Sequence, residues 1–229
     1  MTTRSCIGVV ENSEDKGEAE APVADDAVAI EGNEGEAGAS ENADALPVAR
    51  HQEAVMLTPV ERLAAKADGK QRELVENQRG ITYFGLFGPY LAGAKKIVVE
   101  DAYVRKPYQL RNLAEFLEML LRCKNPDEDV AVHLVTGHNE PGFVEAQLNG
   151  LNELASTFAQ LGVNLTYEFR DTLHDRSITA DTGWEILPGR GLDIFQKFVD
   201  GDWLNPLLRH QQLRRVKECK VTYQRVSEK

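Results

Sequence analysis

Between residues 174 and 193 the chain reads HDRSITADTGWEILPGRGLD. This stretch gathers His174, Asp175, Arg176, Asp181 and Arg190, the densest group of chemically capable side chains in the sequence. Imidazole can attack phosphorus or pass protons near neutral pH. Guanidinium grips phosphate oxygens through a two-pronged hydrogen bond. An imidazole beside a guanidinium is therefore a phosphate-handling pair. His174 and Arg176 are two residues apart, so on a strand both project from one side and Asp175 from the other. A plainer reading stays open, in which His-Asp-Arg closes a hairpin by local ion pairing.

The elements that must position these groups read as a β-hairpin. Residues 177–180 mix β-branched and small side chains, Asp181-Thr182-Gly183 is a turn signal, and residues 184–187 alternate again. Gly189-Arg190-Gly191 then allows backbone shapes that a side chain would forbid. A second charged group lies upstream. Residues 95–101, KKIVVED, read as a buried strand ending in Glu100 and Asp101, where strand meets loop at the usual site edge of an open α/β sheet. The loop Tyr103-Val104-Arg105-Lys106-Pro107-Tyr108 sets two aromatics beside two cations, and Arg111 follows one turn later. Two readings stay open: an anion or partner site, or Glu100 and Asp101 pairing with Arg105 and Arg111 to fix the loop.

Charge is spread unevenly along the 229 residues, whose formal net charge is -11. Residues 1–48 hold twelve acids against two bases and no aromatic residue. They cannot bury enough apolar surface to offset the entropy of ordering, so a disordered acidic leader is expected. The remainder carries 25 acids against 24 bases, which argues against a broad basic face for nucleic acid but leaves room for a local basic groove. No apolar run approaches a membrane span, and the start is too short in apolar residues for a signal peptide. Cys6, Cys123 and Cys219 are isolated, which fits a reducing cytoplasm and indicates neither disulfides nor a zinc site. No cofactor and no metal is indicated.

Taken in order, Thr58-Pro59-Val60-Glu61 is a helix start with a capping box. That helix is expected to stop near Asp68-Gly69, and residues 70–78 read as polar and helical in propensity. Together, residues 49–78 read as a helical linker that docks loosely. Residues 81–91 predict a short or bent helix, because Gly85, Gly88 and Pro89 interrupt the pattern. Pro107 opens a strong helix with Leu110, Leu113, Phe116, Leu117, Leu120 and Leu121 as its apolar stripe. A strand over 130–136, a helix over 143–160 and a strictly alternating strand over 163–170 follow. His133 reads as a sheet histidine and His138 as an exposed loop histidine. A closing strand over 220–226 ends the domain. The expected fold class is α/β: one three-layer α/β/α domain over about 79–226 with a mixed sheet.

The spacing His174-x-Arg176-x4-Asp181 resembles the His-x-Lys-x4-Asp signature of the phospholipase D superfamily, with arginine in place of lysine. More widely, residues 79–226 resemble the phospholipase D-like C-terminal domain of the MIT (microtubule interacting and trafficking) family. The residues that carry this are Glu100-Asp101-x-Tyr103-x-Arg105, Gln109-Leu110-x-Asn112, His133-Leu134-x-Thr136, His174-Asp175-Arg176, Gly183-Trp184 and Gly189-Arg190-Gly191-Leu192-Asp193. The wording GITYFGLFGPYLAGAKKIVVEDAYVRKPYQLRN is similar to the C-terminal domain of Lon-related ATPases of BREX phage-defence systems. No GxxxxGK[ST] occurs, so the resemblance implies a stand-alone homologue or the end of a split or truncated one.

The resemblance implies a binding and self-association module. A homodimer is expected, with a Lon-like ATPase or other phage-defence protein as possible partner and a phosphate-bearing ligand. Association with phosphoinositide membranes, which the resemblance also implies, is not favoured by the nearly neutral fold. In this reading Arg105, Arg111, Arg176 and Arg190 form an anion-binding edge with Tyr103, Asn112 and His174, and Glu100, Asp101 and Asp193 orient them. The alternative is a dimeric, metal-independent phosphodiesterase or nuclease: His174 as nucleophile, Arg176 as phosphate clamp, Asp181 fixing geometry, and the acid supplied by the twin chain.

Overall fold

The computed structural model describes residues 57–197 and 204–226. They belong to the unit Glu53–Lys229. The acidic leader and Asp200-Gly201-Asp202 lie outside the described residues.

Seven strands form one mixed sheet: β1 Arg72–Leu74, β2 Lys96–Asp101, β3 Val130–Thr136, β4 Val163–Phe169, β5 Arg176–Ala180, β6 Trp184–Pro188 and β7 Cys219–Arg225. Their order is β1-β7-β6-β5-β2-β3-β4. β2, β3 and β4 are parallel neighbours, and the other pairings are antiparallel. The helices are α1 Pro59–Ala64, α2 Tyr83–Leu86, α3 Gly88–Leu91, α4 Pro107–Leu121, α5 Val144–Ala159 and α6 Pro206–Arg209. The α/β class and the mixed sheet are as expected.

Sheet order decides where the helices go. The crossovers β2-α4-β3 and β3-α5-β4 step in the same direction along the sheet, so right-handed connections place α4 and α5 on one face, where they pack together. That face holds the core: Ile97, Val99, Val132, Leu134, Ile178, Ile186 and Val221 beneath Leu113, Phe116, Leu117 and Leu120. The other face carries Lys96, Val98, His133, Thr166, Glu168 and Thr179, and Val98 is 40% exposed. Of the two helical layers expected, the described residues therefore supply one. His133 lies on this open face, with Nδ1 2.9 Å from Thr166 Oγ1.

Local signals placed most elements. Thr58 Oγ1 accepts from the Glu61 amide and Glu61 Oε2 from the Thr58 amide, closing the expected capping box. Residues 81–91 form two short helices, α2 and α3, broken at Phe87 just before Gly88-Pro89. β4 alternates as read, with Val163 and Leu165 buried.

The segment 70–78 departs from the expected helix. Its residues Arg72–Leu74 form β1, antiparallel to β7 in the register Arg72↔Val221, Glu73↔Lys220 and Leu74↔Cys219. The edge of β7 offers unpaired backbone groups, and Leu74 gains a buried position, so tertiary pairing overrides helical propensity. Nor is the docking loose. The Asp68 carboxylate accepts from Arg72 Nη2 at 2.9 and 3.0 Å, from the Lys70 amide and from the Tyr90 hydroxyl. Tyr90 in turn stacks on Tyr223 and meets the edge of Trp184.

These donors hold the Asp68 carboxyl at about 2, below its ordinary 3.8, with Arg72 the largest cause. A depressed carboxyl contributes stability that is present above its unfolded value and lost as pH falls through its folded value. Asp68→Asn is expected to flatten the decline of the unfolding midpoint between about pH 4 and pH 2. Scanning calorimetry across that range checks this; identical slopes for variant and parent would contradict it.

Candidate functional site

Asp101 closes β2 on the buried face and is 3% exposed. Each of its oxygens is used. Oδ1 accepts from the Tyr103 amide at 3.0 Å, and Oδ2 accepts from the Leu192 amide at 2.9 Å. The Arg176 Nε lies 3.8 Å from Oδ1. One carboxylate thus ties together the β2–α4 loop, the start of β5 and the glycine loop after β6. Burial pushes the Asp101 carboxyl up, and the two amides and Arg176 act against that.

Gly191 is what lets the loop come this close. Its φ is +60°, and a Cβ there would overlap the Asp101 carboxylate. Leu192 next to it is buried, and its carbonyl accepts from the Tyr83 hydroxyl in the core. The backbone shape forbidden to a side chain, as read from the glycines here, is thus found at Gly191, where it serves close approach.

Arg176 opens β5 opposite Asp101 in the sheet register. Its Nη1 donates to the Gly189 carbonyl at 2.8 Å, and its guanidinium carbon sits 4.5 Å from the Tyr103 ring centroid. Arg105 meets the same ring at 5.4 Å, while its Nε donates to the Ala102 carbonyl at 2.6 Å. Tyr103 is 46% exposed, so two guanidiniums share one solvent-facing ring. The Arg105 segment is held by α4: Gln109 Oε1 accepts from the amides of Arg105 and Lys106. The result is a polar rim at the C-terminal ends of the parallel strands, the edge where open α/β sheets place ligands.

Other expected members of the edge lie elsewhere. Glu100 projects to the opposite sheet face, where it accepts from Ser177 Oγ at 3.1 Å and pairs with Arg170 at 3.4 Å. Arg105 is held by the Ala102 carbonyl and the Tyr103 ring, not by the Glu100 or Asp101 carboxylate that the second reading named. Arg111 is exposed on α4, and Asn112 is buried on the same helix. Arg190 donates to the Glu218 carbonyl at 3.0 Å. It lines a depression of about 560 Å³ with Glu73, Glu218 and Lys220, beside the β1–β7 edge. Asp193 pairs with Lys217 at 2.8 Å instead of orienting an arginine of the rim.

The spacing of His174, Arg176 and Asp181 does not form a unit within one chain. β5 begins at Arg176, so His174 sits in the preceding loop and is exposed. The cause is Leu173, which turns back through its amide to the Arg170 carbonyl and packs against Ala102 and Val135. Asp181 accepts from the amides of Lys95 and Lys96, at the start of β2, whereas Arg176 pairs opposite its end. A strand's length separates them.

His138 is an exposed loop histidine, as read, and it has a partner that the reading did not name. His138, after β3, and Asp171, after β4, meet at 3.0 Å through ring Nδ1 and again through the His138 amide. His138 holds the Asp171 carboxyl below its ordinary value, and Arg105 adds to the effect. Two polar residues, each the second after a parallel strand, were the available signal. Among the described residues no three of His, Cys, Asp or Glu lie together where a metal ion could be held.

Gly191→Ala is expected to cost about 3 kcal/mol, since it adds steric overlap to a left-handed backbone. Gly80→Ala has a comparable φ of +84° with no atom within 4 Å of the added methyl, so about 1 kcal/mol is expected. Urea unfolding of both variants compares them; equal losses would contradict the close-approach role.

Comparison with known proteins agrees with this framework. Residues 80–225 match the family described as the phospholipase D-like domain at the C-terminus of MIT. MIT domain-containing protein 1 of Mus musculus is 38% identical over 136 residues, covering 58% of this chain and 54% of that protein. The chain thus spans about half the length of this curated relative. On the extent of the family match, the chain belongs to the phospholipase D-like domains found at the C-terminus of MIT proteins.

Proposed function

We propose that the domain is a binding module that holds an anionic or phosphate-bearing group at the Arg105–Tyr103–Arg176 rim. The observation that carries this reading is the pair of guanidiniums on one exposed ring, each anchored by a backbone carbonyl. Anchored forks lose little entropy on meeting an oxyanion. Catalysis is disfavoured by the placement of Asp181 and by arginine standing where the superfamily signature has lysine. Self-association belongs to the same reading, supported by a sheet face left bare among the described residues. The wider setting we propose is an accessory role beside a Lon-like ATPase in BREX phage defence; its support is the wording of residues 80–112.

Arg176→Ala is expected to weaken binding of pyrophosphate, followed by titration calorimetry, by about 10- to 100-fold, the worth of one charge-assisted contact. Arg190→Ala, facing the other depression, is expected to leave it unchanged. Equal effects of the two would overturn the assignment.

The second reading, a phosphodiesterase completed by a twin chain, draws on the exposure of His174 beside Arg176. It requires phosphodiester cleavage in chelator that His174→Ala abolishes. We expect no such cleavage from the purified protein with bis-p-nitrophenyl phosphate.

A further inference from the structure

His138 is held more firmly than a surface histidine needs to be. Its amide donates to Asp171 Oδ1 at 3.0 Å, and its Nδ1 lies 3.0 and 3.1 Å from the two Asp171 oxygens. Its ring stacks on Phe169, with centroids 4.3 Å apart and planes 17° from parallel. A carboxylate only accepts, so Nδ1 carries a proton and Nε2 is the nitrogen left for another partner. An imidazole oriented by a carboxylate is the arrangement that fixes tautomer and direction in acid–base and binding sites.

The residues on either side of His138 both touch Arg105. A Cβ on Gly137 would collide with Arg105 Nη2, and Asn139 Nδ2 donates to the Arg105 carbonyl at 3.1 Å. The dyad is therefore continuous with the Arg105–Tyr103–Arg176 rim. The charged groups that act on it are Asp171 from the β4–β5 loop and Arg105 from the β2–α4 loop, while Glu140 of its own loop lies 4.0 Å from Lys106.

The structure assigns His138 as a further ligand-binding residue, and the rim as a site for a phosphate monoester; this deepens the anion-binding reading and rests on it. The discrimination comes from the proton. A phosphate monoester keeps an ionisable proton near neutral pH, and an imidazole nitrogen can donate or accept. Whichever of the two holds the proton, one hydrogen bond joins His138 Nε2 to a phosphate oxygen. A phosphodiester has no such ionisation and one terminal oxygen fewer for three donors.

The test uses the full chain and three soluble probes: O-phosphoserine, myo-inositol monophosphate and the diester diethyl phosphate. Backbone amide spectra follow the rim, and long-range nitrogen spectra follow the histidine rings. Both monoesters are expected to bind at least about tenfold more tightly than the diester, one hydrogen bond to a charged group. His138 Nε2 is expected to shift while His174 does not. A preference between the two monoesters separates a phosphorylated side chain from a sugar headgroup as source. His138→Gln is expected to remove the monoester advantage; Asp171→Asn is expected to reduce it, and unchanged amide spectra away from the rim establish folding for both. Equal binding of monoesters and diester, or an undiminished advantage in His138→Gln, overturns the role of His138 while leaving the anion site. Failure of every probe to move the Tyr103, Arg105 and Leu192 amides overturns both.

Discussion

A single buried carboxylate, that of Asp101, sets the geometry of the rim. It sits at the end of β2, out of water, and accepts from amides of two separate loops while facing Arg176. Removing a carboxylate from water is costly, and backbone donors with a nearby guanidinium offset that cost only if all arrive together. The loops on both sides of β2 are therefore placed by one group. Tyr103 follows from the first of them, and the glycine carbonyl that anchors Arg176 belongs to the second.

Topology explains why these pieces are neighbours at all. β2 lies between its parallel partner β3 and its antiparallel partner β5. At its C-terminal end, the parallel side delivers the loops after β3 and β4, and the antiparallel side delivers the beginning of β5. The parallel strands contribute Arg105, His138 and Asp171; the hairpin contributes Arg176 and the glycine loop. Arginine at position 176 keeps its charge and presents a planar fork, here already committed on one side to a carbonyl.

Much of the framework was legible in the sequence because it rests on local signals. The capping box at Thr58 and Glu61, the apolar stripe of α4 and the alternation of β4 each declare themselves within a short window. β1 was not legible, since three residues have no period of their own and take their structure from β7. Reading His174 onto a strand failed for a related reason: Leu173 finds a small apolar pocket, and that distant contact ends the strand at Arg176. The same holds for the rim. Arg105, Tyr103 and Arg176 were named from residue type, but which of several arginines share a site depends on strand register. Arg190 and Arg176 are fourteen residues apart and turn to different surfaces, whereas Arg105 and Arg176 meet on one ring. His138 looked like an ordinary loop residue because its partner, Asp171, lies a whole crossover away.

The role proposed for the paired guanidiniums at the end of β2 is to receive an oxyanion. Crystals soaked with tungstate, a tetrahedral oxyanion with a strong anomalous signal, test it most directly. An anomalous peak is expected within hydrogen-bonding reach of Arg105 and Arg176, beside the Tyr103 ring. Peaks confined to the Arg190 and Lys220 depression, with the rim empty, would contradict it.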